Sequence, residues 1–309
     1  MDRYAFEVLR ILAEEKPAVF DRRALAGRLR LSGRTVDLAL GRLNEEGRVE
    51  MDGQGCAAIT EAGLAALEPF RVRRAVILAA GFGSRMMPAT ADRPKPLVTV
   101  RGVRILDTLL DALLAAGVTD ITVVRGYRGE RFDELLEKYP ALRFADNPDY
   151  ERTNNISSAM AALDQIDACY LCEADLVVSN PRILHRYQIA SSILGSWSAE
   201  TDDWCYDVRD GDIVNYRKGG RWCWNYYGIS FWTAEDSARL RADFRDVWEN
   251  EPGGRDVFWE FVPLVLRREN YHVELCPCSR EDILEIDSFG ELCELDPSYT
   301  NPEDKESCL

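Results

Sequence analysis

Ala75-Val-Ile-Leu-Ala-Ala-Gly-Phe-Gly-Ser-Arg85, followed by Arg93-Pro-Lys-Pro-Leu97, is the stretch on which the reading of this chain turns. A β-rich apolar run enters a glycine turn and ends on an arginine, and a proline-flanked lysine follows about ten residues later. Gly81 and Gly83 let the backbone approach phosphate oxygens with no Cβ in the way. Arg85 and Lys95 can neutralise a triphosphate and its departing pyrophosphate. The pattern suits a nucleoside triphosphate held at the C-terminal end of a parallel strand. Leu78, Ala79, Ala80, Gly81, Gly83, Ser84 and Arg85 would surround it.

The turn is not the dinucleotide fingerprint, because Ser84-Arg85 follows Gly83 in place of two spacers and a third glycine. It also lacks the Gly-Lys-Ser/Thr ending of a P-loop. Taken whole, Leu78 to Arg85 with Arg93 to Leu97 resembles the signature of nucleotidyltransferases that activate sugar phosphates and alcohol phosphates.

At 309 residues, two domains are expected, and 46% apolar content is enough for a core. A net charge of −15 argues against nonspecific nucleic-acid binding by the chain as a whole. It leaves room for an anionic substrate wherever Arg and Lys cluster and Mg²⁺ bridges. No apolar run approaches a membrane span, and the N-terminus carries charges where a signal peptide needs an apolar core. Nine cysteines without a secretory signal read as free thiols of a cytoplasmic protein. Cys169 and Cys172 would point to opposite faces of a strand, which argues against a shared zinc ion. Cys308-Leu309 is too short for a prenylation box. Oligomeric state leaves no signal in the sequence.

Residues 1–70 read as a small helical module. Tyr4 to Leu12, Arg22 to Leu29 and Arg34 to Leu43 give three helices, with Ser32 as N-cap of the third. A hairpin around Asp52-Gly53 and a last helix over Thr60 to Leu67 follow. The module resembles a winged helix-turn-helix domain, and Leu-Asn-Glu-Glu-Gly-Arg-Val at 43–49 carries that resemblance. DNA contact would run through Arg34, Thr35 and Arg42. About a dozen acidic residues against ten basic ones favour an interaction or regulatory appendage over a DNA reader. Residues 71–296 alternate strand and helix. Strands are expected at 74–80, 120–125, 142–145, 168–174, 204–208, 225–232, 271–276 and 283–286. A helix over Ile105 to Ala116 should stop at Gly117. The expected fold is α/β, a Rossmann-like, mainly parallel mixed sheet preceded by the small winged-helix module. Residues 297–309 read as a loose polar tail.

Nucleotidyl transfer needs an in-line geometry and a metal to absorb charge more than covalent help from the protein. Mg²⁺ prefers carboxylate oxygens. Asp175 follows the apolar strand Ala168 to Cys172, and Asp287 follows Ile283 to Ile286, so both should emerge at the sheet edge that carries the glycine loop. The acceptor side can be read separately. Trp204, Phe258 and Trp259 supply aromatic faces for an ammonium group, and Asp256 and Glu260, four apart on a helix, supply charge. Tyr227 adds a further ring nearby.

Further motifs occur in order: Asn154-Asn-Ile-Ser-Ser158, Glu173-Ala-Asp175, Asp202-Asp-Trp204, Gly228-Ile-Ser-Phe-Trp232, Asp256-Val-Phe-Trp-Glu260 and Ile286-Asp-Ser288. Over roughly residues 74–295 the chain resembles the Lic-type bacterial choline-phosphate cytidylyltransferases. The resemblance implies CTP as donor, Mg²⁺ at Asp175 and Asp287, and Asn154, Asn155 and Ser158 near the nucleotide. It also puts Trp204 at the acceptor pocket. Glu173, Phe258 and Glu260 depart from the family's more usual Asp, Tyr and Asp. The expected reaction is therefore transfer of CMP to phosphocholine. The nearest alternatives are 2-aminoethylphosphonate or phosphoethanolamine as acceptor. A sugar-1-phosphate nucleotidyltransferase and a ligand-sensing transcription regulator are more distant.

Overall fold

The computed structural model describes residues 1–15 and 19–300. It divides into two compact units: residues 1–72 with 185–189, and residues 73–184 with the chain from 190 onward.

The first unit contains α1 (Arg3–Glu14), β1 (Val19–Asp21), α2 (Arg22–Leu29), α3 (Gly33–Glu45), β2 (Val49–Met51), β3 (Cys56–Ile59) and α4 (Glu61–Leu67). Asp2, Asp21, Ser32 and Thr60 each accept a first-turn backbone N–H and so fix the four helix starts. β3 lies between β1 and β2, antiparallel to both. Phe6, Leu9, Leu12, Leu25, Val36, Leu43 and Leu67 form the core.

Residues 185–189 complete this unit, a contribution that local sequence does not announce. Gln188 N donates to Phe70 O and Val72 N to Arg186 O. Glu14 accepts from Tyr187 N and approaches His185 Nδ1 at 3.0 Å. The Tyr187 ring is buried in the core. Tyr187→Ala is expected to destabilise the N-terminal unit by roughly 2–4 kcal/mol through the cavity left behind. All seven tryptophans belong to the second unit. Helix loss followed by far-UV circular dichroism should thus move to lower temperature while the tryptophan-fluorescence transition stays in place. Coincident shifts, or none, would refute a separate core role for this ring.

The second unit is built on a mostly parallel sheet. β4 (Arg74–Ala79) is flanked by parallel β7 (Asp120–Arg125) and β9 (Cys169–Glu173), and β8 (Arg143–Asp146) extends it beyond β7. Between β4 and β7 come a two-residue ribbon, β5 (Thr99–Val100) and β6 (Val103–Arg104), and α5 (Ile105–Ala116). Gly117, at φ 87°, ends α5 where expected. α6 (Ile156–Ala161) precedes β9, and β10 (Leu176–Val178) follows it. β11 (Ser192–Arg209) and β12 (Asp212–Trp232) form a long twisted hairpin. β12 runs antiparallel to β9, and β13 (Glu274–Cys278) runs parallel to β11. α7 (Ala234–Asn250), β14 (Ile283–Glu285) and α8 (Phe289–Leu295) complete the unit.

Three expectations change. The hairpin strands are far longer than 204–208 and 225–232, because Asp210 and Gly211 both take left-handed dihedrals and close a tight turn. Asp287 does not arrive on the parallel sheet. β14 pairs antiparallel with β10, matching Leu176 to Glu285, and that ribbon delivers it. The chain is also docked beyond Pro297. The Tyr299 hydroxyl donates to Thr99 O at 2.9 Å, and its ring meets Phe289 edge-on. Residues 301–309, with Cys308-Leu309, lie outside the described residues.

Candidate active site

The register of β4 against β9 sets Leu78 beside Glu173. The glycine loop and the Glu173-Ala-Asp175 turn therefore leave the sheet at one edge. They open a cleft of about 590 Å³. Residues 78–85, Lys95, Pro96, Asn155, Ser158, Asp175, Glu285 and Asp287 line one part of it. Glu173, Asp203, Trp204, Lys218, Tyr226, Phe258 and Glu260 line the rest. Two glycines are required by space. At Gly83 (φ 60°) a Cβ would stand 2.7 Å from Lys95 Cβ, and at Gly228 it would run into the Glu173 carboxylate.

At the glycine-loop end, Lys95 Nζ donates to Asp175 Oδ2 (2.9 Å) and Asp287 Oδ1 (3.4 Å). Arg85 grips Asp287 through two hydrogen bonds, at 2.8 and 3.0 Å. Burial alone would push the Lys95 ammonium down, but Asp175 and Asp287 outweigh it and hold the value above the ordinary one. Glu285 stands with them, and one oxygen from each of Asp175, Glu285 and Asp287 lies within 4.8 Å of the others. Burial, then repulsion from Asp175 and Asp287, pushes Glu285 well above the usual carboxylate range. Asp175 Oδ1 is buried and has no hydrogen-bond partner. Three hard oxygen donors, one of them orphaned, fit a divalent cation of the magnesium type.

At the other end the cleft floor is acidic and aromatic. Glu173 accepts from Trp259 Nε1 (3.3 Å) and Asn155 Nδ2 (3.4 Å). Burial and then Glu260 push Glu173 well above the usual range. Glu260 accepts from the Tyr216 hydroxyl at 3.3 Å, its Oε2 has no partner, and burial raises it to about 7. Trp204 stacks on Tyr216 (5.0 Å between centroids, 18° between planes) and meets Phe258 edge-on.

The structure brings together Lys95, Arg85, Asp175, Asp287, the loop residues 78–85, Asn155, Ser158, Trp204, Phe258 and Glu260. Four expected residues fall outside the lining. Asn154 donates to Asp256 O and braces the turn at 255–259. Asp256 is exposed while Glu260 is buried. No helix spans 256–260, because Asn154 and Asn155 hold that segment in a turn through Arg255 O, Asp256 O and Trp259 N. Trp259 is fully buried and orients Glu173. Tyr227 lies within 3.2 Å of the Ser196 hydroxyl on the far face of β12, and its neighbour Tyr226 takes the cleft side. Sequence reasoning gave no site role to Glu285, Tyr226, Asp203 or Lys218. Glu285 was findable, since it ends the short strand two residues before Asp287.

Fold and cleft together define a nucleotidyltransferase. A MobA-like NTP transferase domain model matches residues 75–212. A 2-aminoethylphosphonate cytidylyltransferase of Lancefieldella rimae is 38% identical over 234 residues, covering 73% of this chain and 92% of that protein. A choline-phosphate cytidylyltransferase of Streptococcus pneumoniae is 29% identical over 235 residues, 74% of this chain and 99% of the relative. The solved CTP:phosphocholine cytidylyltransferase from Streptococcus pneumoniae superposes with a TM-score of 0.68 at 23% identity, over 74% of this chain and all of that one. The chain belongs to the cytidylyltransferase family.

Proposed function

We propose that the protein transfers CMP from CTP to a small aminoalkyl phosphonate or phosphate bearing a primary ammonium, with 2-aminoethylphosphonate as the preferred acceptor. An acceptor oxygen attacks the α-phosphorus of CTP, the bond to the bridging oxygen breaks, and pyrophosphate leaves. The glycine-loop backbone cradles the triphosphate, with Asn155 and Ser158 beside it. Lys95 orients and neutralises the reacting phosphates, and Arg85 turns from Asp287 to the leaving pyrophosphate. Asp175, Asp287 and Glu285 would hold Mg²⁺, which supplies charge neutralisation for the phosphate oxygens when bound.

One observation carries the choice of acceptor. Glu260 Oε2 is a buried acceptor on the cleft floor with no donor. A primary ammonium can donate to it, and a quaternary ammonium cannot. Phosphocholine is the second reading, favoured by the aromatic faces of Trp204 and Phe258. The test is pyrophosphate release from CTP and Mg²⁺ with 2-aminoethylphosphonate, phosphoethanolamine, phosphocholine and glucose 1-phosphate. We expect kcat/KM for 2-aminoethylphosphonate to exceed that for phosphocholine by roughly tenfold or more, one charged hydrogen bond's worth. Faster turnover of phosphocholine would reverse the choice, and activity with the sugar phosphate alone would remove the amine reading.

The N-terminal unit is best read as a winged-helix arrangement serving interaction or regulation rather than DNA. The exposed side of α3 carries Asp37, Leu38 and Glu45 beside Arg34 and Arg42. Arg22 is paired with Asp37, and Arg42 with Asp2 and Glu46. A salt-sensitive gel shift of upstream DNA by the full chain would overturn this. No described helix is long and apolar enough to cross a membrane, and a CTP-using enzyme suits the cytoplasm.

A further inference from the structure

We propose that Lys218 is the acceptor-anion clamp, the cation that holds the phosphonate or phosphate group of the substrate while its ammonium lies on Glu260. The inference rests on the aminoalkyl acceptor argued above.

Three cationic side chains line the cleft: Arg85, Lys95 and Lys218. Two are already held by carboxylates, Arg85 by Asp287 and Lys95 by Asp175 and Asp287. Among the described residues, Lys218 alone of the three has no ion-pair partner. It also sits on the acceptor side with Trp204, where the other charged lining residues are acidic: Glu173, Asp203 and Glu260. A dianionic acceptor entering that half meets no other positive group.

The hairpin explains how Lys218 reaches the cleft. Trp204 on β11 pairs directly with Lys218 on β12, so the two side chains share a sheet face. Tyr216, two residues earlier on the same strand, stacks on Trp204 and donates to Glu260. The ladder slips between Thr201 and Trp204, and Gly219 follows Lys218 at φ 71°. Such a bulge re-aims the neighbouring side chain. Two residues along a strand span about 6.8 Å. The acid that Tyr216 holds and the base on Lys218 are therefore offset along the strand in the sense of a short dipolar ligand, cation at one end and anion at the other. Lys95 and Arg85, at the glycine-loop end, would serve the nucleotide.

The test is steady-state kinetics of Lys218→Met and Lys218→Arg, varying CTP and 2-aminoethylphosphonate separately. Lys218→Met should raise KM for the acceptor roughly 10- to 100-fold, the worth of a hydrogen bond between charged groups. KM for CTP should stay within about twofold, because that ligand has its own cations. Lys218→Arg should recover most of the loss. Equilibrium binding of 2-aminoethylphosphonate to the Lys218→Met protein, checked for unchanged far-UV circular dichroism, gives a readout that a merely structural lysine would not move. An unchanged acceptor KM, or a rise in KM for CTP instead, overturns the assignment. If the wild-type protein releases no pyrophosphate with any aminoalkyl phosphate or phosphonate, the functional reading fails, and the clamp fails with it.

Discussion

Replacing Asp175 by asparagine is expected to lower kcat for pyrophosphate release by roughly 10³-fold, the scale on which enzymes lose charge stabilisation at a transferring phosphoryl group. The side chain is nearly isosteric, and its carbonyl can still accept from Lys95, so the fold should survive. What it loses is a negative charge between two others, Glu285 and Asp287. A second readout does not depend on turnover. In the wild-type protein Asp175, Glu285 and Asp287 are crowded around one lysine, and Mg²⁺ should raise the melting temperature by relieving that repulsion. In Asp175→Asn the Mg²⁺-dependent rise should shrink or vanish, while the metal-free protein melts no lower. A variant within tenfold of wild-type kcat would remove the carboxylate cluster from the chemistry. So would an Mg²⁺ response that survives the substitution.

Glu260→Gln should separate binding from stability. Its acceptor KM should rise roughly 100-fold, since a buried carboxylate facing an ammonium is a charged pair in a poorly solvated floor. KM for CTP should hold. Stability should move the other way, and the sign follows from the raised titration of Glu260. The unfolded chain gives up this proton near the ordinary 4.5, whereas the native protein keeps it until about 7. Between those values the native state binds more protons, so stability falls as pH rises through the window and levels off above it. Glutamine removes that loss. At pH 8 the variant should be more stable than wild type by on the order of 1–3 kcal/mol, and near pH 4.5 the two should melt alike. The kinetic gap should narrow in step below pH 7, because protonation converts wild-type Glu260 into a neutral group resembling the variant. Equal acceptor KM in the two proteins at pH 8 would take Glu260 out of the acceptor site.

The burial that makes Glu260 costly to ionise has a local origin. Tyr216 satisfies one oxygen, and the other is buried with no hydrogen-bond partner. The cleft floor thus holds a group whose ionisation weakens the fold.

Much of the glycine-loop half of the cleft was legible in the sequence. Its elements are short, local and punctuated by residues with steric meaning. Gly83 must be a glycine because Lys95 packs against it, and α5 stops at Gly117 because a left-handed residue is needed there. Asp175 could be placed because it follows directly on a parallel strand, whose C-terminal edge is fixed by topology.

The acidic and aromatic half of the cleft was not legible in the same way. Asp256 and Glu260 have helical spacing, yet a hydrogen bond donated by Asn154 and one accepted by Asn155, a hundred residues away in sequence, hold their segment in a turn and send the two acids to different environments. Tyr226 and Tyr227 differ by one position, and only the register of β12 against β9 and β11 decides which ring faces the cleft. Lys218 carries no motif at all. It matters because a hairpin slip sets it opposite Trp204.

Local sequence by itself determined the α/β class, the glycine turn and the identity of the cations and acids beside it, because glycine, proline and strand-end aspartate act through their own backbone and nearest neighbours. Tertiary structure alone decided that Glu260 is buried and half-unpartnered, and that residues 185–189 close the N-terminal core. Each of these depends on pairings between distant segments, and their register is set by packing across the whole sheet rather than by any residue in the segment itself.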